Sequence, residues 1–594
     1  MFLERVKESP NTMAFQYPVG EGWKSLTWKE TEARVRAIAL GLRSLGLELE
    51  NRVGIIANTR YEWVLADLGI LAAGGATTTV YPNSTPDECS YILSDSASVI
   101  AFAEDDAQVK KLADERSKIP GIKKVVTIDG KSGHDGWVIT LAELEEAGRK
   151  FDTERSDEFT KVTGSIKKDQ LATLIYTSGT TGRPKGVELT HDCWVATGEG
   201  MDQVAFLTPA DHQYLWLPLS HSFGKVMLTG QLQIGFSTTV DGRIPKLVDN
   251  LAIIRPTFMA AAPRIFEKVY NKVVTGAQEA GGAKWKIFSW AVGVGGEVSK
   301  ARQAGGQPSG VLALKYTVAD KLVFSKLREK FGGRVKFFIS GSAPLSREMA
   351  EFFHAAGILI LEGYGLTESS AASFVNRPDK YRFGTVGSPI GSIEVKIAPE
   401  DGEILLRGRS IMRGYHNLPE ATEEALTPDR WLRTGDIGEF NEGFLKITDR
   451  KKDLIKTSGG KYVAPQKLEG QLKALCPYLG QVLVHGNGRN FCSALVTLDP
   501  ESIKKWADER GIGNLSYEEL SKSSKAIEMV QKAVDELNAK LAKYETIKKL
   551  AILPKDFTVD GGELTASLKV KRKVIETRYK EILDEFYAGA MADV

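Results

Sequence analysis

A chain of 594 residues exceeds what one hydrophobic core organises, so two or three domains are expected. A hydrophobic share of 42%, a charged share of 26% and a net charge of +2 describe an ordinary globular protein with no strong field towards nucleic acid, which is not expected as a partner. Cys89, Cys193, Cys476 and Cys492 form no Cys-x-x-Cys pair, which argues against a disulfide framework or a thiolate zinc site and fits a reducing compartment.

At the N-terminus, Glu4, Lys7 and Glu8 stand where a signal peptide needs an apolar run, and no apolar stretch reaches the roughly 20 residues that span a bilayer. A cytoplasmic protein is therefore expected. Residues 27–46 carry apolar side chains at 35, 38, 42 and 45, the spacing of a helix face, and close at Gly46. Residues 51–58 read as a buried strand, and a second helix runs from near Tyr61 to the Gly74–Gly75 pair. Buried strands are predicted again at 98–104, 124–129, 172–178 and 336–341, and this alternation points to α/β layers. Residues 264–331 differ, with long helical pieces joined by glycine-rich stretches at 280–284 and 304–310. They read either as an insertion packed on the main body or as a lid over a hydrophobic channel. The charged run DRKKD (449–453) separates two apolar strands and reads as a linker. Beyond it, 478–500 is strand-like and 524–544 helical, with Ile527, Val530, Val534, Leu537 and Leu541 on one face. The expected architecture is a large α/β domain of several subdomains over 1–449, including the insertion at about 264–331, then a linker at 450–452 and a small α+β domain over 453–594.

The segment YTSGTTGRPKGV (176–187) follows a predicted strand and sets Ser178, Gly179, Thr180, Thr181 and Gly182 in succession. Glycines let the backbone turn its N–H groups inward and hydroxyls add donors, so such a loop can wrap phosphate oxygens, with Lys185 as a nearby positive charge. It is not a Walker A loop, because Pro184 precedes the lysine. The whole string resembles the phosphate loop of the adenylate-forming superfamily of acyl-CoA synthetases, luciferases and peptide-synthetase adenylation domains. Further segments resemble that family's motifs in the same order: LPLSHSFG (217–224), SGSAPL (340–345), EGYGLTESS (362–370), GTVGSP (384–389), GEILLRGRSIMRGYHN (402–417), RTGD (433–436), DRKKDLIKTSGGKYVAP (449–465) and LTASLKVKR (564–572).

The resemblance implies an ATP-dependent ligase that makes an acyl-adenylate and then transfers the acyl group to coenzyme A. Thr177, the loop 178–182 and Lys185 would hold phosphates. Gly341, Glu362, Gly363, Tyr364, Gly365 and Thr367 would form the adenine pocket, with Tyr364 stacking on the base. Asp436 would accept from the ribose hydroxyls and Arg450 approach ribose or phosphate. Thr180 and Glu368 are implied for Mg²⁺, a hard cation that takes oxygen ligands and keeps substrate phosphates in its shell. Lys569 is the implied catalytic lysine, since an ammonium between a carboxylate and the α-phosphate relieves the charge of two approaching anions; Lys571 is its nearest competitor. Lys185, Glu368 and His221 complete the catalytic set, His221 gating the acyl channel or orienting the carboxylate. Lys452 matches the family's hinge, which would make the small domain mobile. Gly459 and Gly460 match a glycine loop lining the pantetheine tunnel, and Lys456 in the same segment joins the cofactor-binding set.

PRIFEKVY (263–270), the insertion after it and ISGSAPLSREMAEFF (339–353) resemble the long-chain fatty acyl-CoA synthetase branch, which implies a medium- to long-chain fatty acid. At about 0.8 kcal/mol per buried methylene, chain length is worth recognising. The run IFSWAVGVGG (287–296) is read either as a peripheral membrane contact or as packed core, and the insertion as a surface that could also serve a homodimer. A fatty acyl-AMP ligase loading a carrier protein and a catalytically inactive nucleotide-binding regulator are the alternative functions. The histidines show no metal-ligand spacing.

Overall fold

Runs of β-branched and aliphatic residues alternate with helices through the first 390 residues, and they close into two mostly parallel sheets. The computed structural model describes residues 1–177, 183–559, 561–565 and 569–588. One sheet has eight strands in the order 414–415, 185–190, 171–177, 76–80, 52–56, 98–103, 124–127 and 138–140. Leu171–Thr177 (β1) is buried through Tyr176, as a central strand with both faces covered must be. Lys185–Thr190 (β2) pairs with it antiparallel, Thr177 opposite Lys185.

The second sheet has nine strands in the order 388–389, 374–375, 360–364, 337–340, 258–261, 212–215, 237–240, 13–19 and 22–27. Helix α1 (Ser222–Ile234) is buried all round, with every residue from Gly224 to Gln231 enclosed. Strands β3 (Phe337–Ser340) and β4 (Ile360–Tyr364) are parallel neighbours, and their carboxyl ends deliver Gly341 and Tyr364 to one crevice. Ligands of open α/β sheets bind at such ends.

Between the neighbouring strands 258–261 and 337–340 of that sheet the chain makes a helical excursion: α2 (Pro263–Ala280), α3 (Gly282–Gln303), α4 (Gly310–Ala319), a π turn at Asp320–Phe324 and α5 (Ser325–Lys330). The break between α2 and α3 falls at Gly281, whose φ of 54° favours glycine. Helices α3 and α4 fold back on each other, since Arg302 lies over the Tyr316 ring and a Cβ on Gly295 would come within 2.8 Å of Phe324. Within 287–296, Phe288, Ala291, Val294 and Gly295 are buried while Ile287 and Trp290 face outward.

A four-stranded antiparallel sheet follows, ending in β5 (Leu432–Asn441) and β6 (Phe444–Arg450). The main apolar core has Leu445 as its last buried member, and the next core begins at Ile455. The later part is built on strands 479–485, 492–498 and 547–552 and a short hairpin at 455–463. On its helix Ser524–Asn538, Val530, Val534 and Leu537 are buried as expected, but Ile527 is exposed. It lies about 100° around the helix from buried Ala526 and falls off the stripe. The four cysteines are free and buried. Among the described residues no helix is long and apolar enough to cross a membrane.

Candidate active site

Strand β4 runs into Gly363-Tyr364-Gly365, and Gly365 is fixed by packing: a Cβ there would sit 1.8 Å from the Ala371 carbonyl oxygen. The Tyr364 hydroxyl donates to Asp436 Oδ2 at 2.6 Å, and Arg450 Nε stands 3.4 Å from Asp436 Oδ1. Asp436 and Arg450 meet because β5 and β6 pair antiparallel with these two residues in register. Gly435, at φ 71°, makes the turn that aims Asp436 inward. Burial pushes the Asp436 carboxyl up, and the Arg450 charge works against that shift. Burial and the neighbouring carboxylate hold the Tyr364 hydroxyl well above the usual phenol range, so it acts as a donor.

Glu362 closes the pocket from below. Its carboxylate accepts from the backbone N–H groups of Leu345 (3.3 Å) and Gly384 (3.4 Å), joining the turn after β3 to the 384–389 segment. Burial pushes it up to about 7 despite those donors. Glu368 receives the Tyr415 hydroxyl at 2.7 Å, and Lys185 lies 5.1 Å over the Tyr415 ring, a cation–π contact that places a positive charge beside the carboxylate. Thr367 Oγ1 is 3.2 Å from Ser222 Oγ. His221 caps α1, its Nδ1 accepting from the Phe223 N–H at 3.1 Å. Burial, helped by the Lys569 charge, pulls His221 down to about 3, so the ring stays neutral. One turn along α1, Lys225 makes a buried ion pair with Asp67 and lies near the faces of Trp63 and Trp194. That pair anchors the helix that presents His221.

Lys569 arrives from the other side. Its backbone is pinned by Thr565, whose hydroxyl accepts from the Lys569 N–H at 3.0 Å and whose N–H donates to the Lys569 carbonyl at 2.8 Å. Desolvation and the Arg450 charge pull the ammonium down to about 8, while Glu368 and Asp436 oppose the shift. Lys569 lines the same cleft as Glu368, a residue 201 positions earlier in the chain. Lys571 instead precedes helix Arg572–Arg578 and donates its N–H to the Glu563 carbonyl.

The structure thus brings Lys185, His221, Glu362, Gly363, Tyr364, Gly365, Thr367, Glu368, Asp436, Arg450 and Lys569 around one cleft of about 3290 Å³. Thr177 stands at its edge, and Lys452 lines it while remaining exposed. Lys456, Gly459 and Gly460 are not part of that cleft; they form an exposed hairpin tip, with Gly460 at φ 74°. Ser178, Gly179, Thr180, Thr181 and Gly182 lie outside the described residues. An apolar cavity of about 70 Å³ opens off the cleft beside His221, Phe223 and Tyr364 and reaches Met201, Phe206, Met227 and Phe374. Gly341 borders it, and a Cβ there would press on the Phe223 ring at 3.2 Å. Sequence reasoning missed Tyr415 and the Lys225–Asp67 pair. The signal for Tyr415 was its place after Gly414 in a segment already matched to the family; Lys225 carried none.

A sequence profile described as AMP-binding enzyme matches residues 2–416, and one described as AMP-binding enzyme C-terminal domain matches 452–591. The long-chain-fatty-acid–CoA ligase FadD15 of Mycobacterium bovis is 37% identical over 595 residues, covering 99% of this chain and 96% of that protein. The long-chain-fatty-acid–CoA ligase ACSBG2 of Xenopus laevis is 32% identical, covering 99% and 83%. Among solved structures, the adenylation domain of a carboxylate reductase from Mycobacterium chelonae superposes with a TM-score of 0.75 at 22% identity, covering 99% of this chain and 90% of that one. ATP-bound MatB from Rhodopseudomonas palustris gives 0.70 at 23%, covering 98% and 99%. These structural likenesses concern the fold.

Proposed function

The chain belongs to the AMP-binding enzyme family, and from that membership we propose that it activates a medium- to long-chain fatty acid with ATP and transfers the acyl group to coenzyme A. A fatty-acid carboxylate oxygen attacks the α-phosphorus, pyrophosphate leaves, and the acyl-adenylate remains; the coenzyme A thiol then attacks the acyl carbon and AMP leaves. The observation that carries this reading is Lys569, which lines the same cleft as Glu368, Asp436 and Arg450 and feels their charges. It offsets the charge of carboxylate and α-phosphate as they approach, without itself transferring a proton. Tyr364 offers its ring to the adenine, and Asp436 accepts from the ribose hydroxyls. Neutral His221 orients the carboxylate or gates the cavity.

Glu368 fits Mg²⁺: Tyr415 steadies one carboxylate oxygen, and a hard cation is commonly held by one or two carboxylates together with substrate phosphates. Bound there, the ion would help neutralise the triphosphate. Residues 450–452 are the proposed hinge, lying between the last buried member of one core and the first of the next. The names of the relatives from Mycobacterium bovis and Xenopus laevis support the fatty-acid assignment, as does the apolar cavity. The proposed setting is the cytoplasm, in keeping with four free cysteines.

The test is pyrophosphate and AMP formation with ATP, Mg²⁺ and acids from acetate to a C20 chain, with and without coenzyme A. Coenzyme A-dependent turnover that peaks at long chains is expected. Acid-dependent adenylate formation indifferent to coenzyme A would replace the reading with an acyl-AMP ligase, and silence across the panel would overturn it.

A further inference from the structure

Helix α4 is apolar nearly all round: GVLALKYTVA contains one charged residue, Lys315. Its inner side packs Leu312, Tyr316 and Ala319 against the main core. Its outer side leaves Val311 67%, Leu314 71% and Val318 51% exposed, and Leu322 in the following π turn 45%. Steps of three, four and four residues align these side chains in one stripe. The stripe is not isolated. Of the eighteen large apolar side chains exposed among the described residues, nine lie between 244 and 322, so apolar exposure is concentrated on this part of the molecule.

Charge is concentrated there as well. Residues 282–330 hold nine basic and three acidic residues, net +6, which leaves −4 for the rest of a chain whose total is +2. Lys315, Lys321, Lys326 and Lys330 are exposed, and none forms an ion pair among the described residues, whereas Asp320 is taken by Arg328 at 2.6 Å. An apolar stripe flanked by uncompensated lysines narrows the choice of partner. A second copy docking about a two-fold axis would set these lysines against their own counterparts, a like-charge contact that opposes association. An anionic bilayer meets both features, with apolar chains below a negative surface.

We propose that the outer face of α4 and its π turn docks the protein on anionic lipid, the stripe entering the acyl boundary and the lysines resting on the headgroups. Arg302, Gln303 and Gly305, just before α4, line the reaction cleft, so docking would set that cleft beside the phase into which fatty acids partition. The proposal rests on this surface and survives or fails independently of the reaction chemistry.

Co-sedimentation of the full chain with vesicles of phosphatidylcholine alone, or of phosphatidylcholine with an equal part of phosphatidylglycerol, tests it. Binding to the anionic vesicles, weak binding to the neutral ones, and release as salt shortens the Debye length to about 3 Å at 1 M are expected. The double variant Leu314→Glu with Val318→Glu should lose at least tenfold in partition. Lys315→Gln and Lys321→Gln should each lose roughly fivefold. All of these variants should keep wild-type turnover of octanoate without vesicles, which confirms that they fold. A wild-type protein that stays in the supernatant with anionic vesicles overturns the proposal, as does undiminished vesicle binding by the double variant. Equilibrium sedimentation showing a wild-type dimer that the double variant breaks, with vesicle binding unchanged, would assign the stripe to a second copy instead.

Discussion

The small domain presents two surfaces of opposite character. One carries Lys569, desolvated in the cleft and surrounded by charges from the large domain. The other carries Lys456, Gly459 and Gly460 on a hairpin tip in solvent, outside that cleft. Both surfaces belong to segments matched to family motifs, yet one placement of the domain brings only the first to the nucleotide pocket. The lesson is that the two half-reactions make incompatible demands on a rigid body. Adenylation needs a cation over the α-phosphate, whereas thioester formation needs an open path for a thiol. Movement about the proposed hinge would reconcile them.

The sharpest way to break this comparison is Lys569→Ala. Adenylate formation should fall by about 10²–10³-fold, the scale for losing a preorganised electrostatic stabiliser. Thioester formation from presynthesised acyl-adenylate should stay within about threefold on that same scale. Equal losses in both half-reactions would mean that the two faces are not separate. Asp436→Ala should raise the KM for ATP by about ten- to a hundredfold, because it removes a charged hydrogen-bond acceptor worth roughly 1.5–3 kcal/mol. The carrier of that effect can be checked with 2′- and 3′-deoxy-ATP, which should discriminate less well between wild type and variant.

Lys452→Pro sharpens the comparison from the hinge side. A fixed φ near −65° should slow thioester formation by about tenfold or more and spare adenylation, as expected where a conformational step limits turnover. Single-turnover measurements of each half-reaction would read this directly, and loss of neither would remove the hinge from the account. pH gives a gentler probe. Lys569 stands at about 8 in the unliganded protein, so the required ammonium is present below that value and lost above it. Adenylation measured as kcat/KM should decline through about pH 8, Lys569→Arg should erase the decline, and thioester formation from the adenylate should lack it. The smallest effect concerns His221. Held neutral with its pKa near 3, it has no proton to gain between pH 5 and 7, so His221→Gln should leave the shape of the acid limb unchanged.

Much of the site was legible because its members lie in short, self-contained turns. Gly363-Tyr364-Gly365 and Gly435-Asp436 need little beyond their own backbone geometry to aim a side chain. Contacts made across the chain were not legible. Tyr415 reaches Glu368 from 47 positions away, and Lys225 finds Asp67 from 158 positions away, with nothing local to mark either partner. The insertion shows a different limit. The run 287–296 and the sequence of α4 are both apolar, and periodicity alone does not tell which side of an apolar helix another element covers. The fold buries one face of the first, at Phe288, Ala291, Val294 and Gly295, and leaves a full stripe of the second uncovered.

The cavity beside His221 measures only about 70 Å³, and its walls include Met201 and Met227. Methionine is unbranched and pliant, so a sixteen-carbon tail would make its own room by turning these side chains rather than by filling a preformed bore. Part of the roughly 0.8 kcal/mol from each added methylene is then offset by rearranging the wall. An acyl tail seated there should be graded gently between neighbouring chain lengths, as by an elastic sleeve, and Met227→Ile, by stiffening the sleeve, should turn that slope into a step.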